Sequence, residues 1–266
     1  MQAVYRGLED SMLTERDERK TMAQSHIDNV LSLYADQVNR SVEGIREFSE
    51  IDSQKPADSG LASLPEISSD DVIGCSLEAV RNGFNRACVL DFASYTRPGG
   101  GFKTGALAQE ESLCMKTSLY PVLRKRKDWY KYNKKHVNRG LYGNRGLLVP
   151  DILLFDEANV VAGKLTVAVV AAPNKGVALS RGVSEADCDL AMRQRVTFAV
   201  RIMSEIKPDD MILGAFGCGV FRNNPRIVAR SFIDALSSCP SGTRAMFSPP
   251  EERVRETFVK EFKEAF

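Results

Sequence analysis

Apolar residues in the first part of the chain recur at the spacing of a helix. Between residues 15 and 48 they return every three or four positions among charged residues. These apolar positions include Met22, Ile27, Val30, Leu31 and Leu33. Such spacing is typical of an amphipathic helix. Serine, aspartate and proline then dominate residues 49–70, which favours a linker or irregular surface segment. We therefore predict that residues 1–70 form a helical extension and linker that packs against the rest of the chain.

Downstream of residue 70, short β-branched runs alternate with helical patterns. Strands are predicted at residues 87–92, 165–172 and 211–216. Helices are predicted at residues 110–124, 185–206, 225–236 and 251–266. The second strand is apolar on both faces, as expected at the centre of a sheet. The alternation predicts an α/β fold over residues 71–266 with largely parallel central strands. Ligands of such folds bind in the loops at the carboxyl ends of the strands.

The loop after the first predicted strand carries three glycines and an acidic pair. Gly99, Gly100 and Gly101 can adopt positive φ and can bring their N–H groups against a sugar or a diphosphate. Glu110 and Glu111 open the next predicted helix, where acidic side chains also suit the positive end of the helix dipole. Each feature alone has a plain structural explanation. Their occurrence together, directly after a buried strand, favours a functional site.

The two carboxylates of that pair point in different directions. Adjacent residues on a helix diverge by about 100°, so Glu110 and Glu111 cannot perform the same task. Cleavage of an acetal-type bond needs a proton on the leaving oxygen and activation of a water. A single carboxyl group with a raised pKa can do both in turn. One working carboxylate and one positioning carboxylate are therefore chemically sufficient.

Two further loops follow the other predicted strands. In the later one a glycine-rich turn leads to Asn224 and Pro225, which suit the N-cap and first position of a helix. A glycine turn at a helix N-terminus can bind an anion. This turn is not a GxGxxG motif, because Arg222 occupies the third glycine position. The remaining loop ends the apolar strand at residues 171–176 and contains Asn174 as a further candidate.

Composition narrows the class of protein. The chain is 43% hydrophobic and 27% charged, as is usual for a globular enzyme, and its formal net charge of +1 gives no footprint for non-specific nucleic-acid binding. No apolar stretch approaches the ~20 residues of a membrane span, so no membrane contact is predicted. The six cysteines form no CxxC pair, which favours reduced thiols in an intracellular, cytoplasmic protein, with the nucleus left open.

The two histidines and one basic run bear on the kind of site that the chain can form. With only two histidines, neither in a cluster of ligand-type residues, the sequence predicts no metal site, no cofactor and no Ser-His-Asp triad. Catalysis is expected to use carboxylates. Trp129, Tyr130 and Tyr132 lie in a basic run at residues 124–135, where aromatics between lysines can stack on bases. A solvated amphipathic helix is the interpretation favoured for this run.

The spacing of the glycines and the acidic pair resembles a known signature. Three glycines, seven residues and then Gln109-Glu110-Glu111 resemble the motif of poly(ADP-ribose) glycohydrolases, which are macrodomain enzymes. The surrounding sequence is similar to the compact bacterial-type branch of that family, in family order from about residue 89 to residue 236. The resemblance implies a macrodomain-like mixed sheet flanked by helices, with an N-terminal helical extension.

The resemblance also implies roles for individual residues. Glu111 corresponds to the catalytic acid/base and Glu110 to the residue that orients the reacting ribose. The glycines correspond to the diphosphate-facing part of the catalytic loop, and Phe221 to the residue beside the distal ribose. The other ligand-binding residues predicted in this way are Asp91, Gln109, Asn174, Gly217, Cys218, Gly219 and Val220.

The predicted activity is hydrolysis of ribose–ribose O-glycosidic bonds in poly(ADP-ribose), which releases ADP-ribose. Many members of the family that this chain resembles carry an asparagine shortly before the three glycines. This chain has no asparagine at residues 94–97. Ser94 or Arg97 is therefore an alternative contact for the ribose. Alternative functions are removal of mono-ADP-ribose from protein side chains or DNA bases, a non-catalytic ADP-ribose reader, and a nucleotide phosphatase. The intact acidic pair argues against the reader. The predicted partners are ADP-ribose or its polymer and an ADP-ribosylated protein or nucleic acid.

Overall fold

The helices and strands form an α/β arrangement around one sheet. The computed structural model describes residues 2–49, 61, 63–249 and 251–265, with side chains from residue 15 onward. Residues 50–60 of the predicted linker lie outside the described residues. The helices are α1 (Gln2–Glu43), α2 (Val72–Arg81), α3 (Gln109–Lys116), α4 (Leu119–Leu123), α5 (Lys127–Lys135), α6 (Lys175–Ser180), α7 (Glu185–Ser204), α8 (Pro225–Leu236) and α9 (Glu252–Ala265). The strands are β1 (Arg46–Ser49), β2 (Glu66–Ile67), β3 (Ala87–Phe92), β4 (Arg145–Phe155), β5 (Val161–Val170), β6 (Asp210–Leu213) and β7 (Arg244–Phe247).

The described strands form one mixed sheet in the order β1-β4-β5-β3-β6-β7-β2. The strands β5, β3, β6, β7 and β2 run parallel to one another, and β1 and β4 are antiparallel to their neighbours. Alternate residues of β3 face opposite sides, so that Val89 packs with helices α1–α5 and Leu90 with helices α7–α9. A sheet covered on both faces explains why its central strands are apolar throughout. The predicted α/β class and mixed sheet are confirmed.

Several predicted boundaries are confirmed and others are wrong. Strand β3 and helix α8 have the predicted bounds. The single helix predicted at residues 110–124 is wrong, because Thr117 and Ser118 interrupt it between α3 and α4. The amide of Ser118 donates to the carbonyl of Leu153 at 3.0 Å, and its hydroxyl accepts from the amide of Leu153 at 3.0 Å. Pairing with β4 thus overrides the helical pattern.

The first helix is confirmed, but its buried face differs from the predicted one. It ends at Glu43, and residues 46–49 form β1 instead of continuing the helix. Ile27 and Val30 are buried together with Ala23, whereas Met22 and Leu33 are 57% and 70% exposed. A small alanine completes the buried stripe, which a count of large apolar residues does not reveal. None of the described helices is both long and apolar enough to cross a membrane.

Candidate active site

Three loops meet at one edge of the sheet. Strand β3 lies between β5 and β6 and runs parallel to both, so the loops that follow these strands emerge at the same edge. The side-chain amide of Asn223 donates to the carbonyl of Pro173 at 2.8 Å, which joins the loops after β6 and β5. The amide of Gly176 also donates to the carbonyl of Phe221 at 3.2 Å. The loop after β3 carries the glycines and lies between these two loops in the order of the strands.

The glycine loop closes directly on the acidic pair. The amide of Gly101 donates to Oε1 of Glu111 at 2.7 Å. Gly100 has φ +55°, and a Cβ atom there would lie 2.6 Å from Oε1 of Glu111 and 2.8 Å from Oε2 of Glu110. Only glycine allows the backbone to approach both carboxyl groups this closely. The predicted association of the triplet with the acidic pair is therefore a direct contact in the structure.

The two glutamates differ in their surroundings. Glu110 is 3% exposed, and its Oε2 accepts from the amide of Ser94 at 2.7 Å. Its Oε1 is buried and has no hydrogen-bond partner among the described residues. Glu111 is 8% exposed and is fastened by the amide of Gly101. Both carboxyl groups are therefore buried, and Glu111 is slightly more exposed than Glu110.

A third acid lies behind the pair. Asp91 on β3 is completely buried, and within the described residues neither of its carboxyl oxygens has a hydrogen-bond partner. Burial raises the pKa of Asp91 well above its usual range, and the nearby Glu111 charge adds to the effect. Burial, followed by the charge of Asp91, also raises the pKa of Glu110, although hydrogen bonds from the amides of Ser94 and Gly99 act in the opposite direction. This site therefore favours the neutral forms of Asp91 and Glu110.

The side chain of Gln109 contacts β3 in the structure, and its predicted contact with a ligand stays a prediction. Its side-chain Nε2 donates to the carbonyl of Leu90 at 2.7 Å, and its Oε1 accepts from the amide of Phe92 at 2.8 Å. Both polar ends of the side chain are thus used by β3. They attach the first residue of α3 to the strand that carries Asp91, and so we assign Gln109 to positioning the acidic pair.

The loop after β6 has the features of an anion site. Gly217 has φ +72°, and a Cβ atom there would lie 2.6 Å from the Cβ of Ala172. Cys218 is partly buried, and Val220 is 87% exposed. Within the described residues, no hydrogen bond uses the backbone N–H groups of Gly219, Val220 or Phe221. The predicted helix start is confirmed, since Asn224 caps α8 by accepting from the amide of Arg226 at 2.9 Å.

An aromatic wall that the sequence did not predict links the loops. The rings of Tyr95 and Tyr142 are stacked, with centroids 4.4 Å apart and an interplanar angle of 13°. Tyr142 has φ +61°, and its ring centroid lies 6.4 Å from that of Phe221. Asn174 caps α6 by accepting from the amide of Val177 at 3.0 Å. No periodicity marks Tyr95 or Tyr142, and only the fold brings them together.

A buried arginine holds the segment that carries Tyr142. Arg195 on α7 is 2% exposed and donates to Oδ1 of Asn144 at 2.9 Å, to the carbonyl of Leu141 at 3.2 Å and to the carbonyl of Ala171. Burial lowers its pKa to about 10, which leaves the guanidinium charged at neutral pH. Sequence inspection missed this residue because a charged side chain on a helix usually faces solvent.

Comparisons with known proteins identify the family of this chain and proteins of similar fold. Residues 18–157 match the family model for the microbial-type PARG catalytic domain. The chain is similar to the crystal structure of poly(ADP-ribose) glycohydrolase from Thermomonospora curvata bound to the inhibitor ADP-HPD, with a TM-score of 0.76 and 22% identity over 92% of this chain and 99% of that one. It is also similar to the Deinococcus radiodurans enzyme in complex with ADP-ribose, with a TM-score of 0.72 and 25% identity over 86% of this chain and 98% of that one. No curated protein matches the chain by sequence.

Proposed function

Since this chain belongs to the microbial-type poly(ADP-ribose) glycohydrolase family, we propose that it hydrolyses ribose–ribose O-glycosidic bonds of poly(ADP-ribose) and releases ADP-ribose. The observation that carries the proposal is the contact between the glycine loop and the acidic pair. The Gly101 amide holds Glu111 at 2.7 Å, and the more deeply buried Glu110 lies next to it in the chain. In this arrangement one carboxyl group can make the proton transfers that cleave a glycosidic bond.

Glu111 is assigned the proton chemistry. In the first step its carboxyl group donates a proton to the leaving ribose oxygen as the C–O bond breaks and an oxocarbenium-like centre develops. In the second step its carboxylate takes a proton from the attacking water, whose oxygen bonds to the anomeric carbon. The proton lost in the first step is thereby restored, and the net reaction consumes one water.

Glu110 is assigned to orienting the reacting ribose. Asp91, which lies behind the acidic pair, is assigned to supporting Glu110. The surroundings favour a neutral carboxyl at both positions, and a neutral carboxyl can donate as well as accept a hydrogen bond. Two nearby negative charges would oppose ionisation of each other. Neutral carboxyl groups at Asp91 and Glu110 avoid that repulsion between the two buried side chains.

The loop after β6 is assigned to the diphosphate. Three successive N–H groups, at Gly219, Val220 and Phe221, are available for its oxygens. Arg195 contributes indirectly, because its buried guanidinium donates to the carbonyl of Ala171 at the end of β5 and to the segment that carries Tyr142. Phe221 and the stacked Tyr142 offer aromatic surface for a ribose or for the adenine.

Substitution of Glu111 by glutamine tests the assignment. We expect release of ADP-ribose from the polymer to fall by about 10²–10⁴-fold, because glutamine cannot transfer the proton. The dissociation constant for ADP-ribose should stay within a few-fold of the unmodified value, since glutamine keeps an oxygen that can accept from Gly101. Rates of ADP-ribose release and isothermal titration measure the two quantities. Undiminished release by Glu111→Gln would refute the mechanism, and Glu157→Gln in the exposed turn between β4 and β5 is the matched control.

A mono-ADP-ribose hydrolase is the second candidate, and one observation favours it. Ser94 and Arg97 stand where many relatives have the asparagine; the Ser94 amide is committed to Glu110, and the Arg97 side chain is exposed. A changed ribose contact can change the preferred linkage. Parallel assays with polymer, singly modified protein and singly modified DNA separate the candidates. Binding of ADP-ribose without turnover of any substrate would indicate a reader instead.

The scattered cysteines support an intracellular, cytoplasmic location for these reactions.

A further inference from the structure

Positive charge is concentrated on one short stretch beside the site. Residues 124–135 contain seven basic residues and one acidic residue, whereas the whole chain has a formal net charge of +1. The rest of the chain is therefore net acidic. Helix α5 and the turn before it form this stretch, which we call the basic face. Its exposed cationic residues are Arg124, Lys125, Lys127, Lys131, Lys134 and Lys135.

Most of these charges are not neutralised within the protein. Among the described residues, no carboxylate pairs with Lys127, Lys131, Lys134 or Lys135. Arg126, which is partly buried, is the exception, because it pairs with Glu47. An exposed cluster of unpaired lysines costs free energy by mutual repulsion, and a polyanion removes that cost when it binds.

A hydrogen bond joins the basic face to the glycine loop between β3 and α3. Asn133, on the buried side of α5, donates from its side-chain amide to the carbonyl of Tyr95 at 3.0 Å. Tyr95 lies four residues before Gly99 on the same loop. Between them stands Arg97, which is exposed and extends the positive charge towards the glycines. The basic face therefore adjoins the loop that carries the three glycines.

The basic face also presents aromatic surface. Trp129 and Tyr130 are buried, as the amphipathic interpretation predicts, but Tyr132 is 45% exposed. The ring of Tyr132 stacks on the exposed His136, with centroids 3.9 Å apart and an interplanar angle of 16°. The guanidinium of Arg145 lies 4.2 Å from the centroid of Tyr132. Bases of single-stranded polymers stack on such aromatic groups between cations.

We propose that the basic face binds the part of the poly(ADP-ribose) chain that extends beyond the bond being cleaved. The proposal rests on the function proposed above. Each unit of the polymer carries a diphosphate with two negative charges and an adenine, which match the lysines and the Tyr132–His136 stack. Helix α5 has nine residues and is about 13 Å long, so it offers several cations to one polymer segment. Contact at a second place raises the effective concentration of the scissile bond at the cleft.

A triple substitution, Lys131→Gln, Lys134→Gln and Lys135→Gln, tests this surface. Glutamine retains good helix propensity, so α5 should stay folded. We expect kcat/KM for long poly(ADP-ribose) at low ionic strength to fall about tenfold through KM, with kcat unchanged. Hydrolysis of the two-unit ADP-ribose dimer should be unaffected, because the proposal assigns the basic face to units of the polymer beyond those two. In the Glu111→Gln background, the slope of log Kd for long polymer against log salt should fall by roughly 2, at about 0.7 per lost phosphate contact.

The matched control removes three charges elsewhere. Arg253→Gln, Lys260→Gln and Lys263→Gln change three exposed residues of α9, which covers the other face of the sheet. This control should behave like the unmodified protein on both substrates. Unchanged kinetics of the α5 variant on long polymer, or an equal loss by both triple variants, would overturn the proposal. So would an equal loss on the dimer and the long polymer.

Failure of the activity and failure of the surface are distinguishable. If the unmodified protein releases no ADP-ribose from the dimer or from long polymer, the proposed function fails. In that case the salt dependence of polymer binding still tests the basic face. A single-stranded DNA with the same number of phosphates serves as the comparison ligand. Tighter binding of that DNA than of polymer would overturn the proposal and identify a nucleic acid as the occupant.

Discussion

The carboxyl groups of Asp91 and Glu110 are buried behind the glycine loop at a cost in stability. An acid whose folded-state pKa is raised binds its proton more tightly in the folded protein than in the unfolded chain. Its ionisation then destabilises the fold, and the free energy of unfolding falls as pH rises from the ordinary value, 4.5 for Glu110, through the raised value. Functional sites often retain such unfavourable groups because their chemistry requires them.

Glu110→Gln should therefore stabilise the protein while removing activity. The amide can keep the contact with the Ser94 N–H and can direct its NH₂ group to the side where Oε1 has no partner. We expect a melting temperature about 2–4 °C above that of the unmodified protein at pH 8, a change of about 1 kcal/mol for a chain of this size. The difference should shrink as pH falls towards 4.5.

Thermal unfolding at several pH values between 4 and 8 measures this effect. Glu157→Gln, at an exposed turn, is the control and should give a difference that does not vary with pH. A melting temperature of Glu110→Gln below that of the unmodified protein at pH 8 would contradict the account. So would a difference that stays constant across the pH range.

At the scale of elements, helix α1 donates hydrogen bonds to the glycine loop. Arg16 donates from Nε to the carbonyl of Thr104 at 2.8 Å, and Arg19 donates from Nε to the carbonyl of Gly105 at 3.0 Å. Gly105 has φ +71°, and a Cβ atom there would lie 2.3 Å from the carbonyl oxygen of Arg16. The far end of the glycine loop is thus held by α1, as its near end is held by Asn133 of α5.

Loss of both arginines should slow turnover more than it weakens binding. We expect Arg16→Ala with Arg19→Ala to lower kcat about tenfold, since each charged donor contributes about 1.5–3 kcal/mol at best and both are partly solvated. The Kd for ADP-ribose should change less than kcat, because among the described residues no hydrogen bond joins α1 to the loop after β6. Steady-state kinetics and titration with ADP-ribose measure the two effects separately.

Arg40→Ala is the matched control for that pair. Arg40 lies on the same helix, and its side chain contacts Gln37 instead of the catalytic loop. It should leave kcat unchanged, and the conservative pair Arg16→Lys and Arg19→Lys should recover part of the lost rate. A double alanine variant with unchanged kcat would show that α1 does not position the loop.

At the scale of the whole molecule, the N-terminal helix and the sheet share one core. Ala23, Ile27, Val30 and Val38 are buried in the cluster that also contains Val89 of β3. Burial of the three larger side chains stabilises the fold by about 5 kcal/mol. That amount is comparable with the net stability of a typical domain, about 5–15 kcal/mol. We therefore expect residues 71–266 to depend on the part of the chain that precedes them for their stability.

A chain of residues 71–266 alone should fail to unfold cooperatively. Deletion of residues 1–70 removes α1 and exposes the apolar face of α4 and β4 against which that helix packs. The deletion also removes the edge strands β1 and β2. Urea denaturation followed by circular dichroism should show a broad transition, or none, in place of a single one. A cooperative transition with the midpoint of the full chain would show instead that residues 71–266 are an independent domain, and the predicted division at residue 70 stays a prediction until then.

The sequence by itself determined the features that depend on neighbouring residues. A short apolar run predicts β3, helical periodicity predicts α8, and Asn224-Pro225 predicts the start of α8, because hydrophobic patterning and helix capping are local. The spacing from Gly99–Gly101 to Glu110 and Glu111 likewise indicated one site, since a strand, a loop and a helix start lie within one short segment. The basic run at 124–135 was visible, with its amphipathic character.

Only the tertiary structure decided which distant residues meet. The stack of Tyr95 on Tyr142, the buried Arg195 and the arginines of α1 depend on contacts between segments far apart in the chain, which no local pattern encodes. Thr117 and Ser118 break a helical pattern because β4 offers them hydrogen bonds that a helix would not. For the glycines and the acidic pair, the sequence specified which residues were suited to the chemistry. Folding brought the Gly101 amide to Glu111 and buried Glu110, because such contacts exist only once the loop closes on the helix.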